Sequence, residues 1–181
     1  MAPLGSQRDS VRQQRFANHI MMKTLAIEVL QADRPELIDI ARTLFREYAG
    51  AIGVDLEYQD FSRELASLPG PYAPPNGALL IARVGANAAG CVALRPLDAR
   101  TGELKRLYVR PPYRSNGLGA RLIESVICAA RQAGYCELRL DTLPIMASAQ
   151  ALYRRLGFIE IPPYHDKHLP GTQFYSLQLA P

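Results

Sequence analysis

The hydrophobic and polar positions of the chain fall into two periodicities. Apolar and polar residues alternate along residues 24–31, which predicts a half-buried strand. Farther on, apolar residues from Leu37 to Tyr48 recur at helical spacing, with Asp33 placed to cap the helix and Gly50 placed to end it. The strongest helical pattern spans residues 117–133, where Leu118, Leu122, Val126 and Ala130 recur every fourth position.

The remaining segments are shorter and are separated by Gly, Pro, Asn and Asp. Further helices are predicted at about 57–67 and 145–156, and further strands at 78–84, 89–95, 103–109, 136–141 and 173–179. Residues 69–77 hold four prolines and two glycines, so they predict a loop. Strands interleaved with helices predict a single α/β (α+β) domain.

Composition narrows the classes of function. The chain has 181 residues, of which 48% are hydrophobic and 21% charged, as is typical of one globular domain. No apolar run approaches the roughly 18–20 residues of a membrane span, so no membrane association is expected. Of the net charge of +4, residues 24–181 carry only +1, which argues against nucleic-acid binding by the fold itself.

Domain limits and compartment follow from the same features. Residues 1–22 are polar and Arg-rich, and we expect a flexible N-terminal extension followed by one domain at 23–181. The three cysteines form no Cys-x-x-Cys pair, and Cys91 and Cys128 have apolar neighbours in sequence, which predicts buried free thiols. A reducing, cytoplasmic location fits best.

The segment from Leu107 to Ala120 carries the clearest chemistry. A strand leads through a Pro-containing turn and a Gly-containing loop into the N-terminus of the strongest helix, where free backbone N–H groups bind anions. Gly117 and Gly119 allow close approach of a phosphate, and Arg114 adds a cation. A P-loop lysine is missing after Gly119, and Leu122 replaces the third glycine of a dinucleotide fingerprint.

Two motifs together resemble a known family. Arg114-Ser115-Asn116-Gly117-Leu118-Gly119 follows a strand that ends Leu-Tyr-Val-x-Pro, and Ala149-x-x-Leu152-Tyr153 with Gly157-Phe158 comes about 30 residues later. Both resemble the signature elements of the GNAT superfamily of N-acetyltransferases. Asp-Thr-Leu-Pro before the second motif is similar to a group of small bacterial GNAT proteins. The resemblance implies a mixed, mostly antiparallel sheet with splayed central strands, flanked by helices.

The resemblance also implies roles for particular residues. The strands at 103–109 and 136–141 would splay apart around the pantetheine arm of acetyl-CoA, the co-substrate. Its contacts would come from Leu107, Tyr108 and Val109. The pyrophosphate would contact Arg114, Ser115, Asn116, Gly117, Leu118, Gly119 and Ala120. Met146 stands where the family commonly has an asparagine that contacts CoA.

Tyr153 and Glu103 match positions of catalytic groups in the family. Tyr153 would protonate the departing CoA thiolate, or its ring would simply belong to the core. Glu103 would accept a proton from the amine, or it would be an edge charge beside Lys105.

The acceptor implied by the resemblance is a primary amine, expected on a small molecule, which attacks the thioester directly. The alternatives are a protein N-terminus or lysine, and a non-catalytic acetyl-CoA-binding regulator. His165 and His168 lack further ligand-type neighbours in sequence, so a solvated loop and no metal are expected. That loop, Tyr72 and Tyr164 are expected to border the acceptor pocket. Dimers are common in the family, so a homodimer is an expectation.

Overall fold

The computed structural model describes residues 26–179, and within them one seven-stranded sheet lies between four helices. The predicted extension at 1–22 lies outside the described residues. The helices are α1 Pro35–Ile52, α2 Phe61–Ser67, α3 Leu118–Gln132 and α4 Ala147–Arg155. The strands are β1 Ile27–Gln31, β2 Ala78–Val84, β3 Asn87–Pro96, β4 Thr101–Val109, β5 Glu137–Thr142, β6 Ile159–Ile161 and β7 Gln173–Gln178.

The sheet has the order β1-β2-β3-β4-β5-β7-β6, and its only parallel neighbours within residues 26–179 are β4 and β5. These two strands pair only from Thr101 with Glu137 to Glu103 with Arg139. Beyond Glu103 they diverge, while β4 continues to Val109 and β5 to Thr142. The predicted mixed, mostly antiparallel sheet with splayed central strands is confirmed.

Both faces of the sheet are covered, which explains the continuous apolar run of β2. Leu79 and Ile81 contact the cluster of α1 and α2, while Leu80 and Ala82 contact the cluster of α3 and α4. Burying such a side chain stabilises the fold by about 1.5–3 kcal/mol. No described helix is long and apolar enough to cross a lipid bilayer.

A β-bulge interrupts β4 close to the divergence. Cys91 of β3 pairs with Tyr108, and Ala93 pairs with Lys105, so Arg106 and Leu107 together oppose one residue of β3. Arg106 has φ of 57°, a left-handed conformation that costs a non-glycine residue about 1–3 kcal/mol. Its buried side chain must therefore be held by strong contacts from elsewhere in the fold.

Three expectations from the sequence are wrong. α1 begins at Pro35 without a side-chain cap from Asp33, and it runs through Gly50 to Ile52, because the residue in the left-handed conformation that ends it is Gly53 (φ 64°). Cys91 is buried as predicted, but Cys128 is exposed, since a helix turns about 100° per residue and adjacent residues face different ways. β6 had no sequence signal, because three residues on a sheet edge are too few to show a period.

Candidate functional site

The loop after β4 turns the chain into α3 with its backbone N–H groups exposed. A 3₁₀ turn at Pro111–Tyr113 is followed by Ser115 and Gly117, both with positive φ, of 65° and 77°. Arg114 Nε donates a hydrogen bond to the carbonyl of Val109 at 2.8 Å, which fixes the loop to the end of β4. No side chain among the described residues caps α3, and its first turn has no acid. The first-turn N–H groups are therefore left to bind an anion.

A groove of about 570 Å³ runs along this helix start and the end of β4. Nine of the ten residues predicted to bind the cofactor line it, and Asn116 does not. The lining members are Leu107, Tyr108, Val109, Arg114, Ser115, Gly117, Leu118, Gly119 and Ala120. Other lining residues come from α4, the turn before it and the C-terminal end of α1, including Ala149, Leu152, Ile145 and Ile52. The groove thus has an anion-binding end and an apolar flank.

Gly119 faces another helix as well as the groove. A Cβ atom at Gly119 would lie 3.1 Å from Leu152 Cδ2 of α4, closer than ordinary side-chain contacts. The absence of a side chain therefore lets α3 approach α4, a packing role that adds to the close phosphate approach expected from the sequence.

A second, smaller cavity of about 30 Å³ lies where β4 and β5 diverge. Leu107, Tyr48 and Met146 border both this cavity and the larger groove, so the two spaces adjoin at the β4 bulge. The small cavity is also bordered by charged and aromatic side chains, namely Lys105, Arg106, Asp141, Tyr58 and Tyr153. A ligand lying in the groove would reach this cavity at the position of these three shared residues.

Tyr153 of α4 lies at the inner wall of the small cavity and is only 3% exposed. Its ring packs against those of Phe158 and Tyr175, at centroid distances of 5.7 and 6.2 Å. Its hydroxyl group forms no hydrogen bond with any residue of the described chain. Burial, followed by the nearby Tyr48 and Asp141, raises the pKa of Tyr153 well above its usual value. The group is therefore a protonated donor at neutral pH.

Glu103 of β4 is fully buried and borders neither cavity. It accepts hydrogen bonds from Arg95 Nε at 2.6 Å and from the Tyr164 hydroxyl at 2.8 Å. Burial alone would raise the pKa of Glu103, but Lys105 and then Arg95 outweigh it and hold the pKa below its ordinary value. Its predicted role as the general base stays a prediction.

Lys105 lies between two buried carboxylates. Its Nζ is 2.7 Å from Asp141 Oδ1 and 3.8 Å from Glu103 Oε1. Burial would raise the pKa of Asp141, but the charge of Lys105 and its hydrogen bond lower it. His165 brings a ring nitrogen within 4.8 Å of oxygens of both carboxylates, a set of metal-type ligands among the described residues. The Lys105 ammonium already supplies a positive charge to this group.

Comparison with known proteins places the chain in a family. Residues 35–158 match the family model for the acetyltransferase (GNAT) family. The chain belongs to the GNAT acetyltransferase family. It is therefore an acetyl-CoA-dependent acyltransferase, as the two motifs predicted.

This GNAT protein has relatives over most of its length. An uncharacterized N-acetyltransferase of the yeast Schizosaccharomyces pombe is 35% identical over 162 residues, which cover 88% of this chain and 99% of the relative. A GNAT acetyltransferase structure from Staphylococcus aureus has a TM-score of 0.70 and 24% identity, covering 86% of this chain and all of the other. A GNAT acetyltransferase from Elizabethkingia anophelis, with acetyl-CoA bound, has a TM-score of 0.57 and 20% identity, covering 86% and 98%.

Several residues at the site of this GNAT protein escaped the sequence analysis. Lys105 and Asp141 were not assigned, because β4 and β5 each contain three charged residues and the sequence does not single out these two. Glu64 pairs with Arg106 from 42 residues away, and no local pattern indicates that. Tyr72, expected at the acceptor pocket, is instead fully buried, borders neither cavity and donates a hydrogen bond to Glu64.

Proposed function

We propose that this protein transfers the acetyl group of acetyl-CoA to a primary amine of a small molecule by direct attack on the thioester. The observation that carries the proposal is the junction of two spaces at Leu107. One is a groove at a helix N-terminus, large enough for a nucleotide cofactor, and the other is a small, enclosed cavity with a protonated Tyr153. A thioester at that junction would have an acid on one side and room for an amine.

The groove accounts for cofactor binding group by group. The pyrophosphate would lie against the N–H groups of the first turn of α3, with the Arg114 guanidinium beside it. The pantetheine arm would follow Leu107 to Val109, where β4 has separated from β5 and no strand within residues 26–179 pairs with that edge. Met146 borders the groove in place of the asparagine that is common in the family, so an apolar contact replaces one hydrogen bond.

The chemistry requires two proton transfers around the thioester. The alkylammonium gives up one proton before attack, the amine nitrogen forms the new C–N bond, and the C–S bond then breaks. Tyr153 donates its proton to the leaving sulfur, and the attacking nitrogen loses a second proton. The products are the N-acetyl amine and CoA thiol, with one proton released to solvent.

Calorimetric titration with acetyl-CoA tests the cofactor site. Ala120→Glu adds a carboxylate to the groove beside the expected pyrophosphate, in the first turn of α3, where an acid favours the helix. At about 4 Å and intermediate dielectric, the repulsion of a phosphate charge is about 1–4 kcal/mol, or roughly a 5- to 1000-fold loss of affinity. Gln132→Glu, exposed at the other end of α3, adds the same charge and is the matched control.

The outcomes separate cofactor binding from catalysis. Wild-type protein and Gln132→Glu should bind acetyl-CoA alike, while Ala120→Glu should bind it much more weakly. Equal binding by all three would place the cofactor elsewhere and refute the site. Normal binding without CoA release from any amine would favour the regulator that the sequence left open.

A further inference from the structure

Two buried carboxylates flank Lys105, and only one of them borders the site of reaction. Asp141 borders the small cavity together with Tyr153 and Leu107, whereas Glu103 lies behind Lys105 and is held by Arg95 and Tyr164. Of these two carboxylates, Asp141 is therefore the one that can contact an acceptor in this cavity. This inference rests on the proposed acetyl transfer and concerns the acceptor side of the same site.

The two carboxylate oxygens of Asp141 differ in their hydrogen bonds. Oδ1 accepts from Lys105 Nζ at 2.7 Å, but the only described contact of Oδ2 is Gln59 Nε2 at 3.5 Å, too long for a strong hydrogen bond. The charges of the neighbouring cations keep the pKa of Asp141 below its usual value despite burial, so the carboxylate is ionised at neutral pH. It therefore offers a negative oxygen to an incoming ammonium group.

The walls of the cavity add to the selection of a cation. Tyr48 and Tyr58 border it together with Asp141, and aromatic faces attract ammonium groups. Lys105 and Arg106 also border the cavity, but each is paired with a carboxylate, Lys105 with Asp141 and Arg106 with Glu64. The apolar part of the wall includes Leu56, Leu104 and Leu143.

The volume of the cavity limits what stands next to the nitrogen. About 30 Å³ holds two or three water-sized groups, because one such group needs roughly 10–15 Å³. An amine nitrogen and its first carbon fill that space. A branch on this carbon would exceed that volume and press against the wall, which includes Leu56, Leu104 and Leu143.

We propose that Asp141 binds the acceptor's ammonium group beside the thioester and receives its first proton, and that the acceptor carries its amine on an unbranched carbon. The proton moves from the alkylammonium to Asp141 Oδ2 and on to solvent, which frees the nitrogen lone pair to form the C–N bond. Terminal amines of polyamines, aminoalkyl compounds and lysine side chains belong to this class. The α-amines of amino acids and protein N-termini, which are branched, do not.

The first experiment tests the shape of the acceptor with the wild-type enzyme. CoA thiol release is followed with a disulfide dye for n-butylamine and sec-butylamine, which have the same formula and nearly the same basicity. We expect kcat/KM to be about 10- to 100-fold higher for n-butylamine. Equal rates for both amines would refute the restriction to unbranched carbon.

The second experiment tests the role of Asp141 through the charge of the acceptor. Asp141→Asn is assayed with ethylamine, which is cationic at neutral pH, and with trifluoroethylamine, which is largely neutral there. We expect kcat/KM to fall about 100-fold or more for ethylamine and less than about 10-fold for trifluoroethylamine. A purely structural defect would lower both values by the same factor.

Glu103→Gln provides the comparison, since it alters the other carboxylate on the same lysine. Glu103→Gln should change kcat/KM by the same factor for ethylamine and for trifluoroethylamine. Selective loss for ethylamine in Glu103→Gln, or equal losses for both amines in Asp141→Asn, would assign the proton to another group. If Asp141→Asn fails to fold, the double variant Lys105→Met/Asp141→Asn removes both charges of the pair and gives the same test.

Failure of this inference and failure of the proposed function give different results. Wild-type protein that binds acetyl-CoA but acetylates branched amines as fast as unbranched ones refutes the acceptor class alone. Wild-type protein that binds acetyl-CoA but acetylates no amine refutes the proposed transfer as well. Wild-type protein that does not bind acetyl-CoA in the calorimeter refutes the proposed function.

Discussion

Replacing Glu64 by glutamine removes the carboxylate that neutralises Arg106 at the β4 bulge. The guanidinium forms three contacts with Glu64, from Nε at 3.0 and 3.2 Å and from Nη2 at 2.5 Å. The Arg106 side chain is 4% exposed and that of Glu64 is 10% exposed. The phenol of Tyr72 also donates to Glu64, and the guanidinium lies 5.2 Å from the Phe61 ring centroid. Glu64→Gln would therefore leave a buried cation without its counter-charge.

The loss in the free energy of unfolding caused by Glu64→Gln can be estimated from this geometry. Removing one member of a buried ion pair destabilises a protein by about 3–5 kcal/mol, because the remaining charge stays desolvated. Glutamine keeps one acceptor oxygen for Arg106, so we expect the lower end, about 3 kcal/mol. For a domain of this size, that corresponds to a fall in Tm of about 6–12 °C.

The chain contains a matched control in the pair of Arg110 and Glu47. This pair is also bidentate, at 2.9 and 2.7 Å, and also joins the end of β4 to a helix on the same face of the sheet. Its side chains are 30% and 34% exposed, so the charges keep much of their hydration. Glu47→Gln should cost no more than about 1 kcal/mol.

The assay is urea unfolding of the wild type and both variants, followed by circular dichroism, with the slope m compared to establish that the transition is unchanged. A loss near 3 kcal/mol for Glu64→Gln and below about 1 kcal/mol for Glu47→Gln would support the role of burial. Equal losses for the two variants would refute the reasoning, because both pairs are bidentate Arg–Glu pairs and the buried pair has the additional hydrogen bond from Tyr72.

Three further results are expected. Tyr153→Phe should lower kcat about 100-fold and leave the Kd of acetyl-CoA unchanged in calorimetry, because only a proton donor is lost. Neither Gly50 nor Gly117 has an atom within 4 Å of a would-be Cβ, so in thermal unfolding Gly50→Ala should stabilise by about 0.5–1 kcal/mol. Gly117→Ala should destabilise by about 1–2 kcal/mol because of its positive φ. The folded-state pKa values of Glu103 and Asp141 lie below their ordinary 4.5 and 3.8, so their stabilisation is complete above those values. Tm should therefore fall as the pH drops below about 4.5, and less steeply in Glu103→Gln.

The groove at the start of α3 could be largely predicted from the sequence. α3 was predicted within a residue at each end, because its apolar stripe has a period of four and Gly134 follows it. The loop from Arg114 to Gly117 adjoins that helix in sequence, so the anion-binding end of the groove is a local feature. Local spacing determines local geometry, and nine predicted residues consequently line one groove.

The arrangement of charged residues around the small cavity depends on the tertiary structure. Lys105 meets Asp141 across 36 residues, because β4 and β5 pair in parallel and then diverge at Glu103. Glu64 meets Arg106 across 42 residues, because α2 packs on the same face of the sheet. A charged residue in a strand shows from the sequence only that it needs a partner. Which partner it finds, and whether it borders a cavity or lies behind another side chain, depends on strand register and helix packing, which are set by contacts across the whole chain.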